Sequence, residues 1–175
     1  TITLAGVTYG NSIIWGQGGN DTLTGGASLL PGGDTIYGGD GDDTFWGNDG
    51  DDTLYGGLGA DNLKGSAGVD KFVYQSMAEA GDTIQDFNVG AGEAIDISDV
   101  LIGYDPLSDV ITDFVQITDD GTDSTLAVDA DGGADNFVIL ATLLGVTGIT
   151  DEVTLEDDGN LLLAPEVNEP NPLVG

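Results

Sequence analysis

"GGDGDDTFWGNDGDDTLYGG", residues 38–57, carries six aspartates in twenty residues and no lysine or arginine. Carboxylates at that density repel one another, and stretches of this kind ordinarily stay unfolded. The order in this one lies in its spacing. Two consecutive nonapeptides, GGDGDDTFW (38–46) and GNDGDDTLY (47–55), place glycine first, glycine fourth, aspartate sixth and a large apolar residue eighth.

Moving outward in both directions, the same period runs through GQGGNDTLT (16–24), GGLGADNLK (56–64) and GSAGVDKFV (65–73). A degenerate copy, VTYGNSIIW (7–15), comes before them, and GGASLLPGGDTIY (25–37) is a copy lengthened by four residues. The sixth position reads Ser12, Asp21, Asp34, Asp43, Asp52, Asp61 and Asp70; the eighth reads Ile14, Leu23, Ile36, Phe45, Leu54, Leu63 and Phe72. A short period sustained over seven copies is the mark of a repeat architecture. One copy alone would read as an acidic surface turn, because Asp and Gly populate turns anyway. Seven in register, with no compensating base, do not.

Composition sharpens the problem. The 175 residues include 30 glycines and 32 acidic residues against two basic ones, Lys64 and Lys71, for a net charge of −30. The apolar fraction of 39% suffices for a core. The charge, however, belongs to chains held open by self-repulsion. Both hold only if positive charge arrives from outside. Nucleic acid and anionic membranes need a basic patch and are excluded as partners; cations are favoured. Cysteine and histidine are absent, which removes disulfides, thiol chemistry, the commonest general base and the usual zinc ligands. No apolar run approaches the roughly 18 residues of a membrane span. The chain opens TITLAGVTYGNSII, already in strand-and-turn pattern, with no initiating Met and no basic leader. It therefore reads as a monomeric fragment of a longer protein.

The tandem G-G-x-G-x-D-x-U-x pattern closely resembles the calcium-binding repeats-in-toxin (RTX) family over residues 7–73. The resemblance implies an all-β fold: a parallel β-roll, or β-solenoid, in which each nonapeptide is a six-residue glycine turn plus a three-residue strand. Two nonapeptides complete one turn of the coil. Glycines at fixed offsets suit a tight repeated turn, and a short strand with a central apolar residue delivers one core side chain per copy.

With eighteen residues per coil turn, alternate copies share an edge about 4.8 Å apart. One edge then stacks Ser12, Asp34, Asp52 and Asp70; the other stacks Asp21, Asp43 and Asp61. Ca²⁺ binds oxygen at about 2.3–2.6 Å, half that spacing, so an ion between turns can bridge two stacked aspartates. The same-edge pairs are 12/34, 34/52, 52/70, 21/43 and 43/61. The first carries a single charge and straddles the inserted residues 28–31. The family pattern further implies carbonyl ligands from odd turn positions: Gly16, Gly18 and Asn20; Gly38, Asp40 and Asp42; Gly47, Asp49 and Asp51; Gly56, Leu58 and Ala60. Roughly four to six Ca²⁺ ions are expected. An EF-hand does not fit, because DGDDTF and DADGGA lack the twelfth-position glutamate and flanking helices.

The ninth-position side chains, Trp15, Tyr37, Tyr55 and Val73 on one sheet and Thr24, Trp46 and Lys64 on the other, are expected to face outward. Stacked aromatics there can pair across strands, lie beneath later chain or bind carbohydrate. Thr22, Thr35, Thr44 and Thr53 form outward columns that suit ordinary strand packing or an ordered-water, ice-binding surface.

Past residue 73 the glycine period lapses, and residues 74–163 read as a C-terminal β-rich cap. Short runs at Thr83–Phe87 and Ala94–Ile97 are strand candidates. Asp82 falls where a stretched further copy would put its sixth residue, opposite Asp61; Asp86 and Asp96 are weaker ligand candidates. PLSDVITDFVQIT predicts a short helix after Pro106 that becomes strand at Phe114. TLAVDADGGADNFVIL (125–140) predicts a hairpin, whose Asp129, Asp131 and Asp135 suit an ion or a plain acidic turn. Glu152–Leu155 and Leu161–Leu163 are expected as the last two strands. Residues 164–175, rich in proline and polar groups, are expected to be disordered.

The stretch DADG…NFV…ATLLGVTG, followed by DDGN and an apolar triplet, resembles the C-terminal target region of large RTX proteins exported by type I secretion, especially very large bacterial adhesins. That resemblance implies a type I secretion ABC transporter complex as partner, a location outside a Gram-negative cell or on its surface, and no catalytic role. The alternatives are the RTX tail of a secreted protease or lipase, or an ice- or carbohydrate-binding solenoid. H-E-x-x-H and G-x-S-x-G motifs are both absent from these residues.

Overall fold

Every nonapeptide spends its seventh and eighth residues on a strand, and successive strands alternate between two sheets. The computed structural model describes residues 2–3, 11–26, 32–133, 136–149 and 152–163. The first sheet runs Ile13–Gly18, Thr35–Asp40, Thr53–Leu58, Lys71–Val73, Ala94–Asp96 and Leu161–Leu162, all parallel. The second runs Ile2–Thr3, Thr22–Thr24, Thr44–Trp46, Asn62–Leu63 and Asp82–Ile84. It then adds Val138–Leu143 in parallel and closes with Ser124–Val128 and Val115–Asp119 antiparallel.

Register follows the repeat. In the first sheet Ile14 pairs with Ile36, Ile36 with Leu54, Leu54 with Phe72, Phe72 with Ile95 and Ile95 with Leu161. In the second, Leu23 pairs with Phe45, and Leu63, Ile84 and Leu143 continue in register. These eighth-position side chains are all buried and form the core between the sheets. The apolar ladder passes beyond the glycine repeats without a break, so the later strands extend the roll.

The turns are more ordered than a three-residue strand implies. In the first sheet the ladder continues through the opening glycines, so Thr35–Asp40 and Thr53–Leu58 are six residues long. Beside the second sheet, Asn48–Asp49 pairs with Ser66–Ala67. The fourth-position N–H groups of Gly19, Gly41 and Gly50 donate to Asp40, Leu58 and Ala67 carbonyls at 2.7–2.8 Å. Stacked identical turns satisfy one another's backbone groups, as buried backbone must.

Glycine serves two needs in this turn. The fourth position always has φ above +90°, from Gly19 to Gly68, where a side chain is strained. The first position has ordinary φ but no room: a Cβ on Gly47 would strike the Asp52 carboxylate and the Gly65 carbonyl. The second position is also left-handed, yet Gln17, Asn48 and Ser66 occupy it.

Past residue 73 several expectations are corrected. Val73, expected outward, is buried beside Tyr74 under the later chain. No helix follows Pro106; a 3-10 turn spans Ile111–Asp113 and the strand starts at Val115. Glu152–Asp157 is an α-helix, not a strand. Its Leu155 joins the core and its Glu152 carboxylate accepts the Ile117 N–H at 2.6 Å, so tertiary contacts decide the local conformation. The expectations for Asp135, for residues 27–31 and for residues 164–175 lie outside the described residues.

Candidate metal centre

The carboxylates of Asp34, Asp43, Asp52, Asp61, Asp70 and Asp82 form two buried columns along the edges of the roll. Each Oδ1 accepts the backbone N–H of the sixth residue one coil turn earlier. On one edge Ser12 donates to Asp34 (2.8 Å), Asp34 to Asp52 (2.6 Å) and Asp52 to Asp70 (2.9 Å). On the other, Asp21 donates to Asp43 (2.7 Å), Asp43 to Asp61 (2.7 Å) and Asp61 to Asp82 (2.8 Å). The expected same-edge pairs are thus those the fold brings together. Asp82 joins them across 21 residues, against 18 between regular copies and 22 where the inserted residues intervene.

The second oxygens behave differently. Asp34 Oδ2 accepts the Gly26 N–H at 2.8 Å. The Oδ2 atoms of Asp43, Asp52, Asp61, Asp70 and Asp82 are buried and have no hydrogen-bond partner. All five residues are no more than 2% exposed. A buried carboxylate oxygen with neither donor nor cation is costly. Five in two register-matched columns form a pattern and call for one common partner.

Burial has the expected electrostatic effect. Desolvation, opposed by the Oδ1 hydrogen bond and reinforced by neighbouring carboxylates, pushes Asp61 and Asp70 up to about 6, Asp52 to about 7 and Asp82 to about 8. Asp43 is raised by the same causes. The buried Tyr74 hydroxyl lacks a well-formed hydrogen bond and lies against the Asp82 carboxylate. No lysine or arginine enters either column.

First-position carbonyls line the same space. A Cβ on Gly38 would strike both Asp43 Oδ2 and the Gly56 carbonyl oxygen; one on Gly16 would meet the Gly38 carbonyl oxygen at 2.5 Å. Above Gly56, the Oδ2 atoms of Asp61 and Asp82 both lie within 3.0 Å of a single point. Hard carboxylate and carbonyl oxygens around a rigid gap are the donor set of Ca²⁺. Among the described residues no three acidic side chains converge on one point, so carbonyls would have to complete any shell. The residues present fit the ion.

The other predicted ligands separate by position. Gly16, Gly38, Gly47 and Gly56 flank the columns. The third-position carbonyls of Asp40 and Leu58 accept backbone N–H groups of the neighbouring turn. Gly18 occupies the equivalent place in its copy, opposite Asp40, and Asp49 pairs in register with Ala67. At the fifth position, Asp42 accepts the Ala60 N–H (3.1 Å) and faces Asn20, while Asp51 accepts the Val69 N–H (2.8 Å). These exposed carboxylates stitch one turn to the next.

The weaker candidates are engaged by other donors. Asp86 accepts the Gly65 and Ser66 N–H groups, Asp96 takes the N–H and hydroxyl of Ser98, and Asp129 and Asp131 accept N–H groups of their own loop. Glu93 was not foreseen. It is 3% exposed, sits one residue before the Ala94–Asp96 strand and is pushed by burial up to about 7. On the outer face, Trp15, Tyr37 and Tyr55 stack at 4.0 and 4.4 Å.

The fold and its carboxylate columns define a parallel β-roll built from glycine–aspartate nonapeptides. Residues 8–28 and 30–63 match the family model of the RTX calcium-binding nonapeptide repeat. The chain thus carries RTX calcium-binding repeats, which occur in extracellular proteins of Gram-negative bacteria. Among solved structures it is similar to the AlgE6R3 subunit of the Azotobacter vinelandii mannuronan C5-epimerase. The identity is 25%, with 97% of this chain and 88% of that one covered at a TM-score of 0.56. The AlgE6R2 subunit of the same enzyme is 21% identical over 96% of this chain and 95% of its own, at a TM-score of 0.53, a likeness of fold. No curated protein matches the chain.

Proposed function

We propose that this chain is a calcium-dependent folding and type I secretion module at the C-terminus of a large secreted or surface adhesin. The observation that carries the reading is the set of five buried, unpartnered Oδ2 atoms in two columns. Asp43, Asp52, Asp61, Asp70 and Asp82, with first-position carbonyls such as Gly38 and Gly56, would hold roughly four to six Ca²⁺ ions. Where calcium is scarce the columns repel, and the chain stays extended enough to thread an ABC transporter complex. Where calcium is abundant, binding to the folded state alone adds RT ln(1 + [L]/Kd) per site, about 2.7 kcal/mol at a hundredfold excess. Several sites in series convert an open chain into a folded one. The secretion role rests on residues 129–163, whose pattern resembles type I targets. The chain is read as non-catalytic, having neither histidine nor cysteine.

Calcium titration followed by circular dichroism tests the reading. A coil spectrum in chelator should pass cooperatively to β-structure with calcium, with magnesium a poor substitute. A fully folded chain in chelator would defeat it. Deleting residues 151–163 should abolish export; unchanged secretion would place the signal elsewhere.

A second reading is favoured by the similarity to repeat subunits of an epimerase over nearly the whole chain. On that reading the module is the non-catalytic tail of a secreted carbohydrate-active or hydrolytic enzyme. The sequence upstream of Thr1 decides: a catalytic domain favours the enzyme, tandem β-sandwich repeats the adhesin.

A further inference from the structure

Both carboxylate columns continue past the last glycine repeat, and each ends on a residue of the C-terminal segment. On one edge the Asp61 N–H donates to Asp82 Oδ1, and the next strand places Ala141 opposite Asp82. The column stops there. On the other edge Lys71 pairs with Ala94, and the Ala94 N–H donates to the Asp70 carbonyl at 3.0 Å. The Thr53 N–H makes the same contact to Asp34, and the Lys71 N–H to Asp52, at 2.8 Å. Glu93 therefore occupies the sixth position above Asp70, although a long excursion separates it from the repeats.

Neither end resembles a turn that satisfies itself. Asp70 and Asp82 are each 1% exposed, and each keeps an unpartnered Oδ2. Asp82 Oδ2 shares its space with Asp61 Oδ2 above Gly56. Glu93 is 3% exposed and gives one oxygen to the Asn88 N–H (2.9 Å). Asn160 donates to the Glu93 carbonyl at 2.6 Å, tying strand Leu161–Leu162 to this point.

We propose that two terminal Ca²⁺ sites, Asp61–Asp82 on one edge and Asp70–Glu93 on the other, clasp the C-terminal segment to the roll. Resting on the calcium reading above, this assigns to non-repeat residues the ions that make the order of residues 82–163 calcium-dependent. Asp82 anchors strand Val138–Leu143 through its own strand, and Glu93 anchors Ala94–Asp96 and Leu161–Leu162.

Native mass spectrometry and hydrogen exchange of the full chain in calcium test it. Asp82→Asn and Glu93→Gln should each lose one ion, or weaken one site at least tenfold. Asp82→Asn should speed exchange in 138–143 and Glu93→Gln in 94–96 and 161–162, while 35–40 and 53–58 stay protected. Glu93→Asp keeps the charge one methylene short and should show an intermediate loss, so it decides the second site if Glu93→Gln does not fold. Unchanged ion counts and unchanged exchange in these variants would overturn the proposal. Wild-type protein that binds no calcium would instead overturn the function on which it rests.

Discussion

The C-terminal segment, residues 74–163, carries 20 acidic residues against 10 in the repeats, residues 7–73, yet it is mainly the repeats that bury carboxylate oxygens without partners. In the roll, Asp52 is buried, raised to about 7 and left with an unpartnered oxygen. In the hairpin after Asp119, Asp120 is exposed and held below the usual carboxylate range by the N–H groups of Asp123 and Thr122. Asp105, Asp119 and Asp123 likewise accept N–H groups close by or on a neighbouring loop. The loops around Asp105, Asp119, Asp120 and Asp123 supply donors for these carboxylates from the segment's own backbone. Asp43, Asp52, Asp61, Asp70 and Asp82 spend one oxygen on backbone and leave the other without a partner in the polypeptide. Acidity by itself therefore says little about cation dependence; the unpartnered buried oxygen is the discriminating feature.

Glycine substitution should separate the regions most strongly. Gly47→Ala puts a methyl into Asp52 and the Gly65 carbonyl and should cost about 3 kcal/mol or more at saturating calcium. Gly121→Ala, with φ of +87° and open space around it, should cost about 1 kcal/mol. Equal losses in calcium-saturated thermal melts would show that the columns are not rigid cradles.

Neutralising single carboxylates comes next. Asp52→Asn should stabilise the calcium-free chain, by removing an uncompensated buried charge, and raise the calcium needed for folding about tenfold, near 1.4 kcal/mol. Asp120→Asn should leave the calcium midpoint where it is. A calcium midpoint that moves equally in both would erase the distinction between the regions.

The pH response has opposite signs at the buried columns and at the exposed Asp120 turn. Asp52, Asp61, Asp70 and Asp82 have folded values above the ordinary carboxylate value of about 4, so the folded roll binds more protons than the unfolded chain. Their contribution favours the calcium-free fold below about pH 4 and is lost as pH rises through about 6 to 8. Asp120, lowered, contributes above its ordinary value and loses that contribution as pH falls. In chelator, circular dichroism should show β-structure growing on acidification from pH 8 toward pH 4. Constant signal over that range would contradict the buried columns.

The smallest effect is expected at the outer face. Tyr37→Ala interrupts the Trp15–Tyr37–Tyr55 stack and should cost about 0.5–1.5 kcal/mol beyond lost area, with no change in the calcium midpoint. A shifted midpoint would couple the aromatic face to the columns.

Most of the roll was legible because one short period specifies strand, core residue and column together. Aligning the glycines suffices to place Asp34 over Asp52 and Phe72 beside Leu54. Asp82 was reachable as a stretched copy. Glu93 was not, because its loop from Asp86 to Gly92 has no glycine period and the residue type changes. Glu152–Leu155 reads as strand in the sequence but lies in the helix Glu152–Asp157: so few residues carry too little periodicity to choose, and contacts with Ile117 and the core decide. The left-handed second position was hidden because Gln17, Asn48 and Ser66 replace glycine there.

The Oδ1 hydrogen bonds all point the same way along the chain. Asp34 supports Ser12, Asp52 supports Asp34, Asp70 supports Asp52; no sixth-position N–H in a column bonds a carboxylate that precedes it. The roll thus has a grammar in which each word is completed by a later one. Trimming from the N-terminus leaves every remaining sixth-position N–H with its carboxylate acceptor, whereas trimming from the C-terminus takes that acceptor from the new last turn at once. A chain emerging C-terminus first would present its keystone before the courses that lean on it.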